Sequence, residues 1–419
     1  MFGGACCAVV ARTFPDGASR TSPGVLLVAH RRRDGVQRDG GHRRAGPPQR
    51  GTRLKPRFRS FPPVIPPVLQ PGSGPIPAGT YLPATPDAVL WGRLPCAADS
   101  PLLTVAAGSE VTVDTVSHEG ILEDQGRDPV TWFGRHGVTE VLEDAVALAK
   151  SDDPHRFGVD GPHVVTRPIA VDGARVGDLL AITLLDATPR VPYGVISNRH
   201  GRGALPGEYP GEGMPLFSAF AGVDGDGTHG LLPLVDGGER TVRFPLRPFL
   251  GIMGVAVPGA QRPHSVPPGP HGGNLDISLL TAGSTLYLPV QVDGALAYVG
   301  DPHFAQGDGE VSLTAMEGSL RATVRLDVVA REEALQRFGE LAGPLAETTE
   351  LLVPTGLDED LDTAVQNCVR AAIALLQARF GMDRRLAYAY LSAATDFRIS
   401  QVVDVVKGVH ATIRKADFA

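Results

Sequence analysis

The part of this chain richest in side chains that could do chemistry runs from Pro267 to Glu310. Two histidines and several acidic residues stand there, in glycine-dense loops on either side of a short strand-like segment, among them His271, His303, Asp276, Asp301, Asp308 and Glu310. Loops that a rigid strand holds at its ends often carry binding and catalytic groups. Histidine, aspartate and glutamate are also the ligands preferred by a hydrolytic divalent metal. The stretch therefore predicts an enzyme.

The elements that must position these residues read mostly as strands. Residues 285–292 alternate between an apolar face (Leu286, Leu288, Val290, Val292) and a more polar one (Thr285, Tyr287, Gln291). Glu110–Val116 and Leu320–Val328 are further strand candidates, and the continuously apolar Leu179–Leu185 indicates a strand buried on both faces. Few helical patterns separate them, and Gly (51) and Pro (37) are abundant. We therefore expect a mainly β fold with an antiparallel sandwich or barrel-like body.

Helical patterns come late in the chain. Residues 357–380 repeat apolar positions at steps of three and four behind an acidic start, and Gly381 follows. A second helix is predicted from near Asp383 through Leu391. This C-terminal helical segment is expected to cover a sheet face or form a subunit contact. The polar stretch from Pro189 to Gly213 is predicted to be a long functional loop.

Composition limits the class of protein. At 419 residues, one large domain or two are expected. The apolar runs are short, well below the roughly 18–20 residues of a spanning helix, so we expect a soluble protein with no membrane partner. None of the four cysteines pairs with another at a zinc-site spacing, and no disulfide framework is indicated. We therefore expect a cytoplasmic protein.

The N-terminus differs in charge from the rest. Residues 1–60 contain 13 Lys or Arg against three Asp, among Gly and Pro and without an apolar period. Such a segment is predicted to be disordered. It lacks the aromatic residues and amphipathic helix of a nucleic-acid or targeting arm, so no nucleic-acid partner is expected. We divide the chain into a disordered basic and Pro-rich extension (1–77), a β-rich body (78–335) and a helical segment packing on it (336–419).

Several ordered motifs resemble those of the acetamidase/formamidase family. Between residues 267 and 310 these are PPGPHGGNLD, LTAGSTLYLPV and GALAYVGDPHFAQGDGE. In the same order as in the family come SNRHGRGALPGE (197–208), RPFLGIMGVAVPG (247–259) and DFRISQVVD (396–404). The similarity covers roughly residues 80–405. It implies a mainly β, cytoplasmic homo-oligomer that hydrolyses short-chain aliphatic amides such as formamide and acetamide to ammonia and a carboxylate. It also implies a divalent metal, with zinc the usual candidate.

The resemblance suggests roles for residues in the matched motifs. The candidate metal ligands are Asp114, His163, His271 and His303. Glu310 is the candidate general base, although it could equally be a ligand. Asn274 could orient the amide or donate to the oxyanion, and Asp276 could hold a ligating imidazole.

Two further residues are candidates for substrate binding. His200 either contacts substrate or stabilises its long loop. Arg167 stands where the family pattern His-x-x-Thr-Gly-Pro has glycine, so it could change the preferred size or charge of the substrate. The remaining histidines of the body (His118, His136, His155 and His264) are assigned no role in the site.

Two alternatives to a short-chain amidase stay open. The chain could hydrolyse a larger amide or a carbamate-like compound, as the change at Arg167 would allow. It could also be a catalytically silent β-sandwich that binds a small polar ligand or serves in an assembly. The glycine pairs do not favour a nucleotide site, because the strand–loop–helix context of a P-loop is missing.

Overall fold

The structure is a computed structural model that describes residues 67–152 and 155–418. The predicted disordered extension falls mostly on residues 1–66, outside the described residues. Within the described ranges, no helix combines the length and apolar character needed to cross a membrane.

The described residues contain 21 β-strands and five α-helices. The strands are β1 Thr80–Leu82, β2 Val89–Trp91, β3 Leu103–Ala106, β4 Ser109–Asp114, β5 Val164–Thr166, β6 Ile169–Asp172, β7 Leu179–Pro189, β8 Tyr193–Arg199, β9 Leu216–Val223, β10 His229–Pro233, β11 Thr241–Pro245, β12 Phe249–Gly254, β13 Gly272–Asn274, β14 Thr285–Pro289, β15 Tyr298–Ala305, β16 Met316–Glu317, β17 Leu320–Val329, β18 Leu345–Glu347, β19 Leu351–Asp358, β20 Asp396–Gln401 and β21 Lys407–Arg414. The helices are α1 Pro129–Gly134, α2 Glu143–Lys150, α3 Arg331–Phe338, α4 Leu361–Phe380 and α5 Arg384–Ala394.

Most strands belong to two large sheets. The first has the order β1-β4-β17-β7-β14-β18-β19-β21-β20, and the second runs β11-β10-β9-β8-β16-β15-β12-β13 with β5 and β2 attached to β15. Pairing is antiparallel apart from β1 with β4 and, in a separate two-stranded sheet, β3 with β6. The mainly β, antiparallel prediction is confirmed. Both large sheets have free edges, so the body is not a closed barrel.

One core joins the two sheets, and a second lies behind the first sheet. Leu180, Ile182 and Leu184 of β7 belong to the core shared with β12 and β15, whereas Leu179 and Ala181 pack with α3, α4 and α5. Because successive strand residues face opposite sides, the first six residues of β7 are buried on both faces. This confirms the double burial indicated by its apolar sequence.

The C-terminal helices form with the expected boundaries at two of their four ends, and α5 continues three residues past the predicted end at Leu391, to Ala394. Asp383 caps α5, and Gly381 ends α4 in the left-handed conformation. The predicted start of the first helix at Leu357 is wrong, because that residue belongs to β19 and Asp360 is the N-cap. Residues 345–414 also add four strands to the first sheet, which the helical interpretation did not include.

The predicted loop from Pro189 to Gly213 is only partly a loop. Its first half is β8, whose seven residues pair with β9. Polar residues at Ser197 and Asn198 hid this strand, because they occupy buried positions where their side chains make hydrogen bonds. The remaining turn begins at His200.

Asp114 ends β4 inside a buried ion-pair network. It lies opposite Arg321 of β17, whose Nε and Nη2 donate to its carboxylate at 2.6 and 2.8 Å. Arg190 approaches the same carboxylate at 3.4 Å and bonds Asp144 at 2.7 Å. All four side chains are buried. This position does not support the predicted role of Asp114 as a metal ligand.

Replacing Asp114 should test this structural role. Asp114→Ala leaves two guanidinium groups buried beside one remaining carboxylate, so the free energy of unfolding should fall by about 3–5 kcal/mol. Asp327→Ala, an exposed aspartate on β17, is the matched control and should change it by less than about 0.5 kcal/mol. Chemical denaturation measures both. Loss of bound metal from a folded Asp114→Ala chain would contradict the purely structural role.

Candidate functional site

A cavity of about 470 Å³ opens on the second sheet. Its polar lining includes three imidazoles, one carboxamide and five carboxylates, which are His118, His163, His303, Asn274, Asp276, Asp301, Glu310, Glu317 and Asp404. All nine side chains belong to buried residues. Such a concentration of titratable groups in one concave space identifies the candidate active site.

Strand β15 and its neighbours form the centre of the site. Asp301 and His303 are two residues apart on β15 and therefore face the same side. His303 Nε2 lies 3.1 Å from Asp301 and 3.2 Å from Glu317, the residue opposite it on β16. On β12, a Cβ at Gly251 would collide with Asp276, Asp301 and His303. Glycine at this position therefore makes room for the cluster.

Two loops bring imidazoles to Asp301 from outside the strand. His118 follows β4, and its Nδ1 lies 3.8 Å from Asp301 Oδ1. His163 directly precedes β5, and its Nε2 lies 3.9 Å from the same oxygen. The other ring nitrogen of His163 is 3.0 Å from the Ser265 hydroxyl, which fixes the ring so that Nε2 faces Asp301.

The C-terminal strand pair supplies the last carboxylate. The side-chain oxygen of Gln401 accepts hydrogen bonds from the backbone N–H groups of Val403 and Asp404, which shapes the turn after β20. The Gly309 N–H donates to Ser400 O, and the Val402 N–H donates to Gly309 O. These bonds hold Asp404 next to the loop of Glu310.

The orientation of His303 is set by Gln306. The Gln306 amide nitrogen donates to the carbonyl oxygens of Asp276 and Ser400, at 2.7 and 3.2 Å. Its Oε1 must then face His303 Nδ1, 3.0 Å away, and accept a hydrogen bond from that nitrogen. His303 therefore carries a proton on Nδ1 and turns Nε2 towards the carboxylates.

Backbone strain is concentrated around the cavity. Among the described residues, eight other than glycine have positive φ, and five of them line the cavity: Asp276, Asp301, Glu310, Leu313 and Val405. Such conformations cost free energy and persist only where the surrounding structure enforces them, often at functional sites. The concentration here supports a functional interpretation of the cavity.

Three carboxylates at one end of the site repel one another. Asp276, Glu310 and Asp404 can place an oxygen each within 4.8 Å of the others. Burial, reinforced by the neighbouring negative charges, raises the pKa of Asp276 and Glu310 well above the ordinary range. Burial is also the main reason that the pKa of Asp404 rises to about 8. Two like charges at this spacing do not ionise freely without a positive group.

The imidazole end has the opposite character. Although burial opposes it, the neighbouring imidazoles of His303 and His163 lower the pKa of Asp301. Burial lowers the pKa of His163 to about 4, which favours the neutral imidazole that a metal requires. The pKa of His303 is raised instead, because Glu317 and Asp301 outweigh its burial.

The residues fit a divalent cation. Many buried polar atoms of the cavity have no hydrogen-bond partner: both nitrogens of His118, both carboxylate oxygens of Asp276, Asn274 Oδ1, Asp301 Oδ1, Glu317 Oε2 and Asp404 Oδ2. Buried polar atoms are nearly always satisfied, so such a group points to a ligand or an ion. His118, His163 and Asp301 can place one ligand atom each within 4.8 Å of the others, and three further sets involve His303 or Glu310.

Five of the nine residues predicted for the site lie at the cavity. They are His163, Asn274, Asp276, His303 and Glu310. Their individual roles stay predictions. Asn274, Asp276, His303 and Glu310 come from the single stretch that the sequence singled out, and His163 joins them from the loop before β5.

The other four do not line the cavity. Asp114 is in the ion-pair network, and His271 is buried against the backbones of Gly269 and Gly273. Arg167 follows β5, at the opposite end of this strand from His163. His200 is exposed in the turn after β8. These positions do not support a ligand role for His271 or substrate contacts for Arg167 and His200.

Sequence reasoning missed several cavity residues. His118 was assigned no role, yet it lies at the centre, and His155 and His264 also line the cavity. The segment 117–137 is rich in histidine and acidic residues, which was the available signal for His118. Asp301 lies two residues before His303 in the GDPH motif and could have been found there. Asp404 ends the DFRISQVVD motif (396–404) and could have been found there, whereas Glu317 has ordinary sequence surroundings.

Gly251 provides a test of the site geometry. Gly251→Ala introduces a methyl group where Asp276, Asp301 and His303 approach one another, so the affinity for zinc should fall at least about tenfold. Gly222→Ala on β9, where an added Cβ meets nothing, is the matched control and should keep zinc affinity. Titration of metal-free protein with a competing chelator measures both. Equal zinc affinity in the two variants would contradict this arrangement.

Comparison with known proteins agrees with the geometry. The model of the Acetamidase/Formamidase family matches residues 141–264 and 258–414. The acetamidase of Mycolicibacterium smegmatis is 27% identical in an alignment of 237 residues that covers 44% of this chain and 57% of that protein. The formamidase of Methylophilus methylotrophus is 27% identical in an alignment of 305 residues that covers 58% of this chain and 74% of that protein. The match to the first relative thus spans little more than half its length.

Solved structures show the same fold. The crystal structure of the acetamidase from Bacillus halodurans superposes with a TM-score of 0.61 at 26% identity, covering 80% of this chain and 98% of that one. A predicted acetamidase/formamidase from Thermoanaerobacter tengcongensis has a TM-score of 0.63 at 23% identity, with 81% and 97% covered. The family match extends over more than half of the residues and includes most of the cavity. The chain belongs to the acetamidase/formamidase family.

Proposed function

We propose that the chain hydrolyses the C–N bond of a linear primary amide to ammonia and a carboxylate. The observation that carries this proposal is that one cavity holds two different clusters. Two imidazoles lie beside Asp301 in the first, and the second consists of carboxylates. Relatives named acetamidase and formamidase support amides as the substrate class.

His118, His163 and Asp301 are the residues best suited to hold a divalent cation, and zinc fits them. Catalytic zinc sites have three protein ligands drawn from histidine and acidic residues, which is this set. His303 and Asp276 lie beside Asp301 and could complete or orient the site. A bound cation would supply Lewis-acid chemistry, lowering the pKa of a coordinated water and polarising a carbonyl group.

Glu310 is proposed to move the proton. It accepts one proton from the attacking water as the carbon–oxygen bond forms, and it returns that proton to the nitrogen as the carbon–nitrogen bond breaks. Water and amide thus give ammonia and the carboxylic acid, with atoms and charge in balance. The buried position of Glu310 beside Asp276 and Asp404 supports this role.

Asn274 is proposed to orient the substrate. Its Oδ1 is buried at the cavity without a hydrogen-bond partner, so it is free to accept from the amide N–H of a substrate. An amide substrate would donate the missing hydrogen bond to this oxygen, whereas an ester of the same shape has no N–H to donate. The site would therefore favour amides over such esters.

We also propose a cytoplasmic homo-oligomer. The cysteines of the described part, Cys96 and Cys368, are buried free thiols, which suits a reducing compartment. Leu386 and Tyr388 on α5 are 61% and 63% exposed, which leaves apolar side chains available for a subunit contact.

Glu310→Gln tests the proton transfer. The substitution keeps the size of the side chain but removes its basicity, so ammonia release should fall by about 10²–10⁴-fold while the chain stays folded. Glu332→Gln, on an exposed position of α3, is the matched control with wild-type turnover. Ammonia release from formamide, acetamide and hexanamide measures both. Near-normal turnover in Glu310→Gln would remove Glu310 from the mechanism.

A pair of histidine variants tests the metal assignment. His163→Gln removes an imidazole next to Asp301, so zinc affinity should fall about 10–100-fold. His271→Gln, away from the cavity, should keep the wild-type affinity. Elemental analysis and chelator competition are the measurements. Loss of zinc from His271→Gln, together with retention of zinc by His163→Gln, would overturn the ligand assignment. Full amidase activity without any metal would overturn the proposal that a divalent cation takes part.

A further inference from the structure

The cavity is much larger than formamide or acetamide requires. Its volume of about 470 Å³ lies within the roughly 300–1,000 Å³ of pockets that bury drug-sized molecules. Acetamide has four non-hydrogen atoms and would occupy a small part of it. The rest of the cavity needs another explanation, and the residues that line it indicate one.

Five apolar lining residues lie nearer the surface than the nine buried polar ones. Phe157 and Val405 are 52% and 49% exposed, in contrast to the nine buried polar residues. Leu313, Val266 and Val403 are half-buried. The nine polar residues form a polar floor, and the five apolar ones form an apolar mouth, beside which exposed Arg202 and half-buried Asp160 and His264 also lie. We keep the names floor and mouth for the nine polar residues and for these five apolar ones.

Phe157 is exposed on a loop that is held firmly. His155 stacks on Trp91 at 4.3 Å between ring centroids, and its ring nitrogens lie 2.9 Å from Glu123 and from Gly161 O. Asp160 accepts from Arg93 at 2.8 Å. An exposed aromatic side chain costs solvation, so a fixed loop that points one into a cavity suits an apolar ligand.

Val405 and Leu313 are presented by strained backbone. Their φ angles are +69° and +116°, which are unfavourable for any residue with a side chain and especially for β-branched valine. Glycine would adopt both conformations without this cost. Keeping apolar side chains at both positions indicates that the side chains themselves are needed at the mouth.

We propose that the preferred substrate is a neutral primary amide whose acyl group is apolar and several carbons long, or aromatic. This inference rests on the proposed amidase function and specifies its substrate class. The carboxamide reaches the floor, and the apolar group packs against Phe157, Leu313 and Val405. The five carboxylates of the floor disfavour an anionic substrate.

Chain length provides the first test. We expect kcat/KM to rise from acetamide to butyramide to hexanamide, by up to about fourfold for each methylene that the mouth buries. A flat or falling series would overturn the substrate class while leaving the amidase intact. Because Arg202 also lines the cavity, adipamate, which replaces the end of hexanamide with a carboxylate, is included. Faster hydrolysis of adipamate than of hexanamide would likewise overturn the proposal.

Variants at the mouth provide the second test. Phe157→Ala and Val405→Gly should each reduce the ratio of kcat/KM for hexanamide to that for acetamide, by about fivefold to tenfold. Val405→Gly should not lower Tm, because glycine relieves the strained φ. Val176→Gly, an exposed valine away from the cavity, is the control with an unchanged ratio. An unchanged ratio in both mouth variants would contradict the proposal.

A binding measurement distinguishes failure of the amidase proposal from failure of the proposed substrate class. If the metal-loaded chain releases ammonia from no amide, the amidase proposal fails. Calorimetry on Glu310→Gln then decides the character of the mouth. Hexanamide binding at least about tenfold tighter than acetamide supports an apolar ligand site, and equal binding refutes it.

Discussion

The mutual repulsion of buried carboxylates is the constraint on which this structure depends. Five of them share one cavity with the imidazoles of His118, His163 and His303. Removing each such charge from water costs several kcal/mol, which only a geometrically matched positive charge can offset. The unsatisfied atoms of Asp276, Asp301 and Glu317 show that the protein's own groups do not complete that offset. A divalent cation held by His118, His163 and Asp301, as proposed above, would supply that positive charge.

Holding these groups together requires a rigid frame. The second sheet covers the first sheet on one side and the helices cover it on the other, so the first half of β7 has no solvated face. Against this frame, β12 and β15 present Gly251, Asp301 and His303. Strain in the loops of Glu310 and Val405 can persist because well-packed neighbours leave no room to relax it.

Features that depend on neighbouring residues could be predicted from the sequence, whereas features that depend on contacts between remote residues could not. Strand periodicity, the helix caps at Asp383 and Gly381, and the motif with Asn274 and Glu310 are all short-range patterns, and the structure has them as expected. Asp114 shows the limit: a strand-end aspartate looks like a ligand until its partner Arg321 is known, 207 residues later. His118 shows the opposite error: it was assigned no role although it lies at the cavity, because its partner Asp301 is also remote in sequence. Charge pairing across a β fold is not visible in local sequence.

The dependence of the site on remote pairing also explains why the C-terminal part cannot be a mere cover. Asp404 reaches the cavity only because β20 and β21 extend the first sheet, and Gly309 bonds the backbone of Ser400 and Val402. Gln306 links Ser400 and Asp276 to the ring of His303. Docking of the C-terminal strands therefore fixes an imidazole and a carboxylate of the floor at once. The same turn carries Val405 at the mouth, so one segment couples the chemistry of the floor to the choice of substrate.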